Sequence, residues 1–182
     1  MKIGVMSDTH GSLHFFEIAM KYLGDCDKII HAGDILYHGP RNDIPGGYNP
    51  KALAERINTL DNIIFVKGNC DSDVDQMVID HPIQNPYTML DVDGISIMVT
   101  HGYIKSKDEM IEEAKKYKVD ILIYGHTHKK ELVKSGSLVV LNPGSTSIPK
   151  DGSRSVAIIE SGKILIKDIE NSGNILSEIT IK

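Results

Sequence analysis

Hydrophobic positions change their spacing along this chain in a way that predicts its elements. Residues 3–7, 28–32 and 62–66 are short β-branched apolar runs and read as strands. Between the first two, Leu13, Phe16, Met20 and Leu23 share one helical face, and Gly24 supplies a stop. Asn49 and Pro50 are a cap and first helical residue, leading a helix with Leu53, Ile57 and Leu60 inward. After Pro86 the period becomes two. Leu90 and Val92, the Asp93-Gly94 turn, then Ile95, Ile97 and Val99 predict a hairpin. Ser106 and Glu109 form a capping box opening a helix with Met110, Ala114 and Tyr117 inward. Residues 119–124 read as a buried strand. From about Lys130 onward, strands separated by Ser135-Gly136, Asp151-Gly152, Ser161-Gly162 and Ser172-Gly173 read as antiparallel hairpins.

This alternation predicts an α/β fold in one domain spanning residues 1–182, two facing sheets with helices outside. One stretch has no periodicity. Residues 35–49 hold His38, Gly39, Pro40, Arg41, Asn42, Pro45, Gly46 and Gly47, and connections this long in compact domains are usually functional.

Composition narrows the chemistry. A net charge of −5, with no block of Lys or Arg, argues against a broad nucleic-acid surface or an anionic membrane partner. It leaves room for a small phosphate-containing substrate, because a local metal site overrides the global sign. Cys26 and Cys70 make no disulfide framework, the N-terminal apolar run is too short for a signal peptide, and no apolar stretch is long enough to span a bilayer. The expected setting is reducing and cytoplasmic.

The candidate chemistry lies in five short motifs, most directly after a predicted strand: Asp8-Thr9-His10, Gly33-Asp34, Gly68-Asn69-Cys70-Asp71, His101-Gly102 and Gly125-His126-Thr127-His128. Strand ends are where an α/β sheet usually keeps its chemistry. Carboxylate, amide oxygen and imidazole together suit borderline divalent ions such as Mn²⁺, Fe²⁺, Zn²⁺ or Ni²⁺. Asp8, His10, Asp34, Asn69, His101, His126 and His128 are too many for one tetrahedral ion and suit two ions sharing a bridging group.

The order of these motifs resembles the calcineurin-like metallophosphoesterase superfamily. The short length, Gly68-Asn69-Cys70-Asp71, the stretch His38-Gly39-Pro40-Arg41-Asn42 and the stretch Asn142-Pro143-Gly144-Ser145 resemble more closely its small bacterial and archaeal phosphodiesterases of the YfcE type. The resemblance implies a four-layer α/β/β/α sandwich of two mixed sheets, with Mn²⁺ as the usual activating metal. It also implies that Asp8, His10 and His128 hold one ion, that Asn69, His101 and His126 hold the other, and that Asp34 bridges them. A homodimer or tetramer is a family-level expectation.

Two divalent cations would outweigh the two carboxylates, attract a phosphate ester and lower the pKa of a bridging water. The resulting hydroxide would attack phosphorus in line with the leaving oxygen. The expected activity is hydrolysis of a small phosphodiester, with Asp34, Asn69 and Cys70 as the catalytic set and His38 and Arg41 contacting substrate. The alternatives are a phosphomonoesterase acting on a small metabolite, and a non-catalytic interaction scaffold like the retromer subunit Vps29. Many relatives carry His where Cys70 stands, read as the acid for the leaving group. A thiol is a weaker donor, so aryl-type leaving groups are expected to be preferred. His14, His31 and His81 read as surface, core and loop residues, and Ser145 as a residue that helps to shape the site or closes a structural turn.

Overall fold

Three apolar layers organise the chain, a computed structural model that describes residues 1–181. The elements are β1 (Ile3–Met6), α1 (Leu13–Leu23), β2 (Lys28–His31), α2 (Pro50–Ile57), β3 (Ile63–Phe65), α3 (Asp73–Gln76), β4 (Tyr87–Val92), β5 (Ile95–Thr100), α4 (Lys107–Lys116), β6 (Ile121–Ile123), β7 (Lys130–Ser135), β8 (Leu138–Pro143), β9 (Ser155–Glu160), β10 (Lys163–Asp168) and β11 (Ile175–Thr180). One sheet has the order β11-β10-β9-β1-β2-β3 and the other β4-β5-β6-β8-β7. Both are mixed. β1, β2 and β3 run parallel beside an antiparallel β9–β11 meander, whereas β5, β6 and β8 run parallel between the antiparallel strands β4 and β7.

Period two inside the strands decides which layer each side chain enters. Met6 and Ile29 face Phe16, Leu23, Leu53 and Ile57 of α1 and α2. Their neighbours Val5 and Ile30 face the second sheet, where they meet Ile97, Ile121 and Leu141. On the far side, Met98, Leu122 and Val140 cover Met110 and Ala114 of α4. The result is the α/β/β/α sandwich. Each fully buried Leu, Ile, Val, Phe or Met contributes about 1.5–3 kcal/mol relative to exposure.

Local signals act where they stand in the chain. Ser12 accepts the Phe15 N–H at 3.2 Å, Asn49 accepts the Ala52 N–H at 3.2 Å ahead of Pro50, and the Ser106/Glu109 box is formed. Asp93 (φ 53°) and Gly94 (φ 74°) give the hairpin turn its two left-handed residues. Residues 35–49 contain neither helix nor strand, only an isolated bridge between Ser12 and Tyr48.

Two expectations change. Tyr117 caps α4 and is 54% exposed rather than inward, because the helix stops at Lys116 before its face turns back to the sheet. Asp151-Gly152 is not a hairpin turn: β8 lies in one sheet and β9 in the other, so this segment crosses between them. The short helix α3 has no buried residue and therefore left no periodic signal. Among the described residues, no helix is long and apolar enough to cross a membrane.

Candidate metal centre

The parallel strands deliver the polar motifs to one edge of the sandwich. β1 leads to Asp8 and His10, β2 to Asp34, β3 to Asn69, β5 to His101, and β6 to His126 and His128. Asp8, His10, Asp34, His126 and His128 all adopt left-handed backbone, with φ between 45° and 66°. This region is sparsely populated by residues other than glycine and persists only where surrounding contacts hold it. Here Asp8 N–H donates to the Gly33 carbonyl at 3.0 Å and His10 N–H to the Asp34 carbonyl at 3.1 Å, tying two of the turns together. The hydroxyls of Ser145 and Ser147 donate to the Asp8 carbonyl at 2.8 and 3.0 Å, and Asn142 Nδ2 donates to the Gly125 carbonyl at 2.8 Å.

Asp71, buried behind Asp34, anchors the same turns. Its carboxylate accepts the N–H groups of Asp34 at 2.9 Å, Ile35 at 2.7 Å and Gly68 at 2.7 Å. Burial raises its pKa to about 6, with Asp34 adding to the rise and those N–H groups opposing it. Gly68 must lack a side chain, since a Cβ there would lie 2.1 Å from Asp34 Oδ1.

Three imidazoles are oriented in the same manner. His10, His101 and His128 each set Nδ1 on a backbone carbonyl, of Tyr37 at 2.8 Å, Ala32 at 2.6 Å and Ile148 at 2.8 Å. A carbonyl only accepts, so Nδ1 carries the hydrogen and Nε2 is left to face inward. The Nε2 atoms of His10 and His128 lie 3.2 Å apart. Two neutral lone pairs cannot sit so close without repulsion, so that contact calls for a cation between them, either a proton or a metal ion.

The carboxylates complete the set. Asp8 Oδ2 accepts from Ser7 Oγ at 2.6 Å and from the His126 N–H at 3.2 Å. Its Oδ1 lies 3.2 Å from His128 Nε2 yet is buried without a hydrogen bond, as is His101 Nε2, 3.3 Å from Asp34 Oδ2. Such orphaned buried atoms need an explanation, and an ion is one. One atom from each of Asp8, His10, Asp34 and His128 falls within 4.8 Å of the others. Burial would raise the carboxyls of Asp8 and Asp34, but the neighbouring histidines hold both below the ordinary range. Burial lowers His101, but Asp34 and Asp8 outweigh it and bring its pKa up to about 9. His126 is lowered by burial and by His101. Anionic carboxylates with oriented imidazoles fit a divalent cation.

A sequence profile of the Calcineurin-like phosphoesterase superfamily domain matches residues 1–163. The chain belongs to the calcineurin-like phosphoesterase superfamily. It is 34% identical over 184 aligned residues to phosphodiesterase YfcE of Escherichia coli (strain K12), covering 100% of this chain and 98% of that protein. A solved structure described as YfcE, a phosphoesterase from E. coli, superposes with a TM-score of 0.90 at 32% identity and covers 100% of both chains. Vacuolar protein sorting 29 from Cryptosporidium parvum superposes with a TM-score of 0.71 at 16% identity, covering 98% of this chain and 97% of that one; it shares the fold alone. A divalent metal is implied by membership of this metallophosphoesterase family, and the Asp8, His10, Asp34 and His128 cluster is a candidate site for it.

In this phosphoesterase the cluster opens onto a cleft of about 790 Å³. Asp34, Asn69, Cys70, His126 and His128 all line it, with Arg41 and Lys150 at its exposed rim. Asn69 is exposed and donates from Nδ2 to Cys70 Sγ at 3.3 Å. Burial, and then the charge of Asp34, push the Cys70 thiol upward, so it stays protonated. His38 is not among the described residues lining the cleft; its ring packs edge-on against Tyr37 and Tyr48. His14 is exposed. His31 is fully buried and partnered by Thr9 Oγ1 at 2.9 Å and the Gly33 N–H at 3.2 Å, with burial lowering its pKa to about 3. The sequence motif includes Asp71 but does not reveal that it anchors the Asp34 turn, and it does not single out Lys150. A buried Asp one residue past Cys70 leaves a trace in the motif, whereas nothing local marks Lys150.

Proposed function

We propose that this chain hydrolyses small phosphodiesters with two divalent cations. Mn²⁺ is the first choice, and Zn²⁺, Ni²⁺ and Fe²⁺ also suit the donors. Asp8, His10 and His128 would hold one ion, Asn69, His101 and His126 the other, and Asp34 both. One observation carries the reading: His10 and His128 turn Nε2 towards each other at 3.2 Å, beside a buried Asp8 oxygen that bonds to nothing. When bound, such ions supply positive charge for the phosphoryl oxygens and acidify the water that attacks phosphorus.

The remaining steps fall to the chain itself. The Arg41 guanidinium at the cleft rim would clamp a non-bridging oxygen through its planar fork. Asn69, at the exposed lip, would orient the phosphoryl group as it enters. Cys70 would face the leaving oxygen with a protonated but weak donor. Groups that leave as stable anions should therefore react fastest. An acidic chain with no polybasic block suits a small diester better than a duplex, and two free cysteines suit a reducing cytoplasm.

The test is hydrolysis of bis-p-nitrophenyl phosphate after chelation and after Mn²⁺ is restored. The expectation is loss and recovery of turnover, with both abolished in Asp34→Asn and His126→Ala. Turnover unaffected by chelation, or none with any of the four metals, would refute the reading.

A further inference from the structure

Beside the metal cleft lies a second concavity of about 610 Å³, lined by Leu36, Tyr37, Tyr48, Ala54, Val74 and Val78. The two adjoin: Tyr37, Cys70 and Ser72 line both. Its floor is rigid. Leu36 and Ala54 are buried, and Tyr48 is wedged so tightly against Gly11 that a Cβ there would fall 2.4 Å from the ring. Its outer wall is open, with Tyr37 42%, Val74 65% and Val78 50% exposed. Apolar side chains left exposed around a preformed hollow, beside a polar reaction centre, are the usual signature of a ligand site.

We propose that this groove seats an aromatic ester substituent of the diester. The inference rests on the phosphodiesterase reading above and adds the class of substrate. A diester held in the cleft carries two organic groups, and neither gains from the aspartates and histidines around phosphorus. The boundary residues Tyr37, Cys70 and Ser72 belong to both hollows, so a group extending from the cleft past them would meet the apolar walls. Tyr37 and Tyr48 offer ring faces and edges to a planar group. Lys51, Glu55 and Asp75, also in the lining, offer polar partners at its periphery, which suits a heteroaromatic ring carrying donors and acceptors. A purely aliphatic chain would leave those charges unused.

The test compares two inhibitors of Mn²⁺-dependent bis-p-nitrophenyl phosphate hydrolysis, dimethyl phosphate and diphenyl phosphate, on the full chain. Both present the same phosphate monoanion, and only one presents rings. Diphenyl phosphate is expected to inhibit at least about tenfold more tightly, the scale on which an apolar pocket discriminates. Val74→Asp and Val78→Asp, at exposed positions outside the metal cluster, should bring the two constants together and leave that for dimethyl phosphate unchanged. Equal constants on the wild type, or a preference that survives both substitutions, would overturn the groove while leaving the phosphodiesterase reading intact. Absence of metal-dependent turnover would overturn both. Sedimentation of the same variants covers the other occupant: dissociation of an oligomer with the inhibitor ratio unchanged would make the groove a contact between copies and refute the proposal.

Discussion

Asp71 holds Asp34 through its backbone: Asp71 Oδ2 accepts the Asp34 N–H at 2.9 Å, while Asp71 Oδ1 accepts the next N–H, of Ile35, at 2.7 Å. Replacing Asp71 by Asn keeps the shape but turns one acceptor into a donor facing N–H groups. The expected result is a loss of about 1–3 kcal/mol of stability, the cost of leaving a buried polar group unsatisfied. Metal affinity should fall about 10- to 100-fold, as for other residues that orient ligands. Thermal melting and metal titration of Asp71→Asn check both, and a variant matching the wild type in both would refute this role.

If His101 is a ligand as proposed, metal binding is expected to be proton-linked. Burial opposes its charge, but Asp34 and Asp8 raise its pKa to about 9 from 6.5, so the metal-free chain carries that proton at neutral pH. A cation at Nε2 must displace it. Binding at pH 7 should then release protons, and apparent affinity should rise as pH increases from 6.5 towards 9. For the metal-free fold the sign is opposite. The stability from this charged contact is full below pH 6.5 and is lost as pH rises through about 9. Calorimetry in two buffers of different ionisation enthalpy measures the release; identical heats would contradict it.

Cys70 is the position where a stronger acid would change the substrate range. Cys70→His places an imidazole beside Asp34, where the present thiol stays protonated and donates weakly. Activity on alkyl esters or monoesters should rise relative to aryl diesters, within the roughly 10²–10⁴-fold that general acid catalysis supplies. Steady-state rates over a series of leaving groups test this. An unchanged slope against leaving-group pKa would count against it.

Gly68→Ala should separate the site from the fold. The added Cβ would lie 2.1 Å from Asp34 Oδ1 and 2.3 Å from Asp34 N, so the carboxylate must move. Overpacking of this kind costs about 1–3 kcal/mol. A protein that remains folded by circular dichroism but has lost metal-dependent turnover is expected; full activity would mean that Asp34 tolerates displacement.

Much of this was legible because it is local. The caps at Asn49 and Ser106, and the Asp93-Gly94 turn, are decided within a few residues of chain and stand where the sequence places them. Asp151-Gly152 misled for the same reason: a Gly turn reports that the chain bends, not which sheet receives the next strand. Tyr117 sits one residue past the end of its helix, and periodicity cannot see that edge. His38 shares a loop with Arg41, yet only Arg41 reaches the cleft, because the packing of Tyr37 and Tyr48 decides where the His38 ring goes.

The sequence by itself determined the donor types, their order and their place at strand ends, since each follows from a short apolar run and the polar residues just after it. Tertiary structure alone decided what those donors do together. The backbone carbonyls of Tyr37, Ala32 and Ile148 set the inward-facing nitrogen of His10, His101 and His128, and all three are remote in sequence from the rings they orient. Asp8 Oδ1 is buried beside His10, His101 and His128, which reach it from remote parts of the chain, and the apolar groove is lined jointly by α2 and the segment carrying Val74 and Val78. Burial and orientation are properties of surfaces brought into contact, and no pattern along one strand contains them.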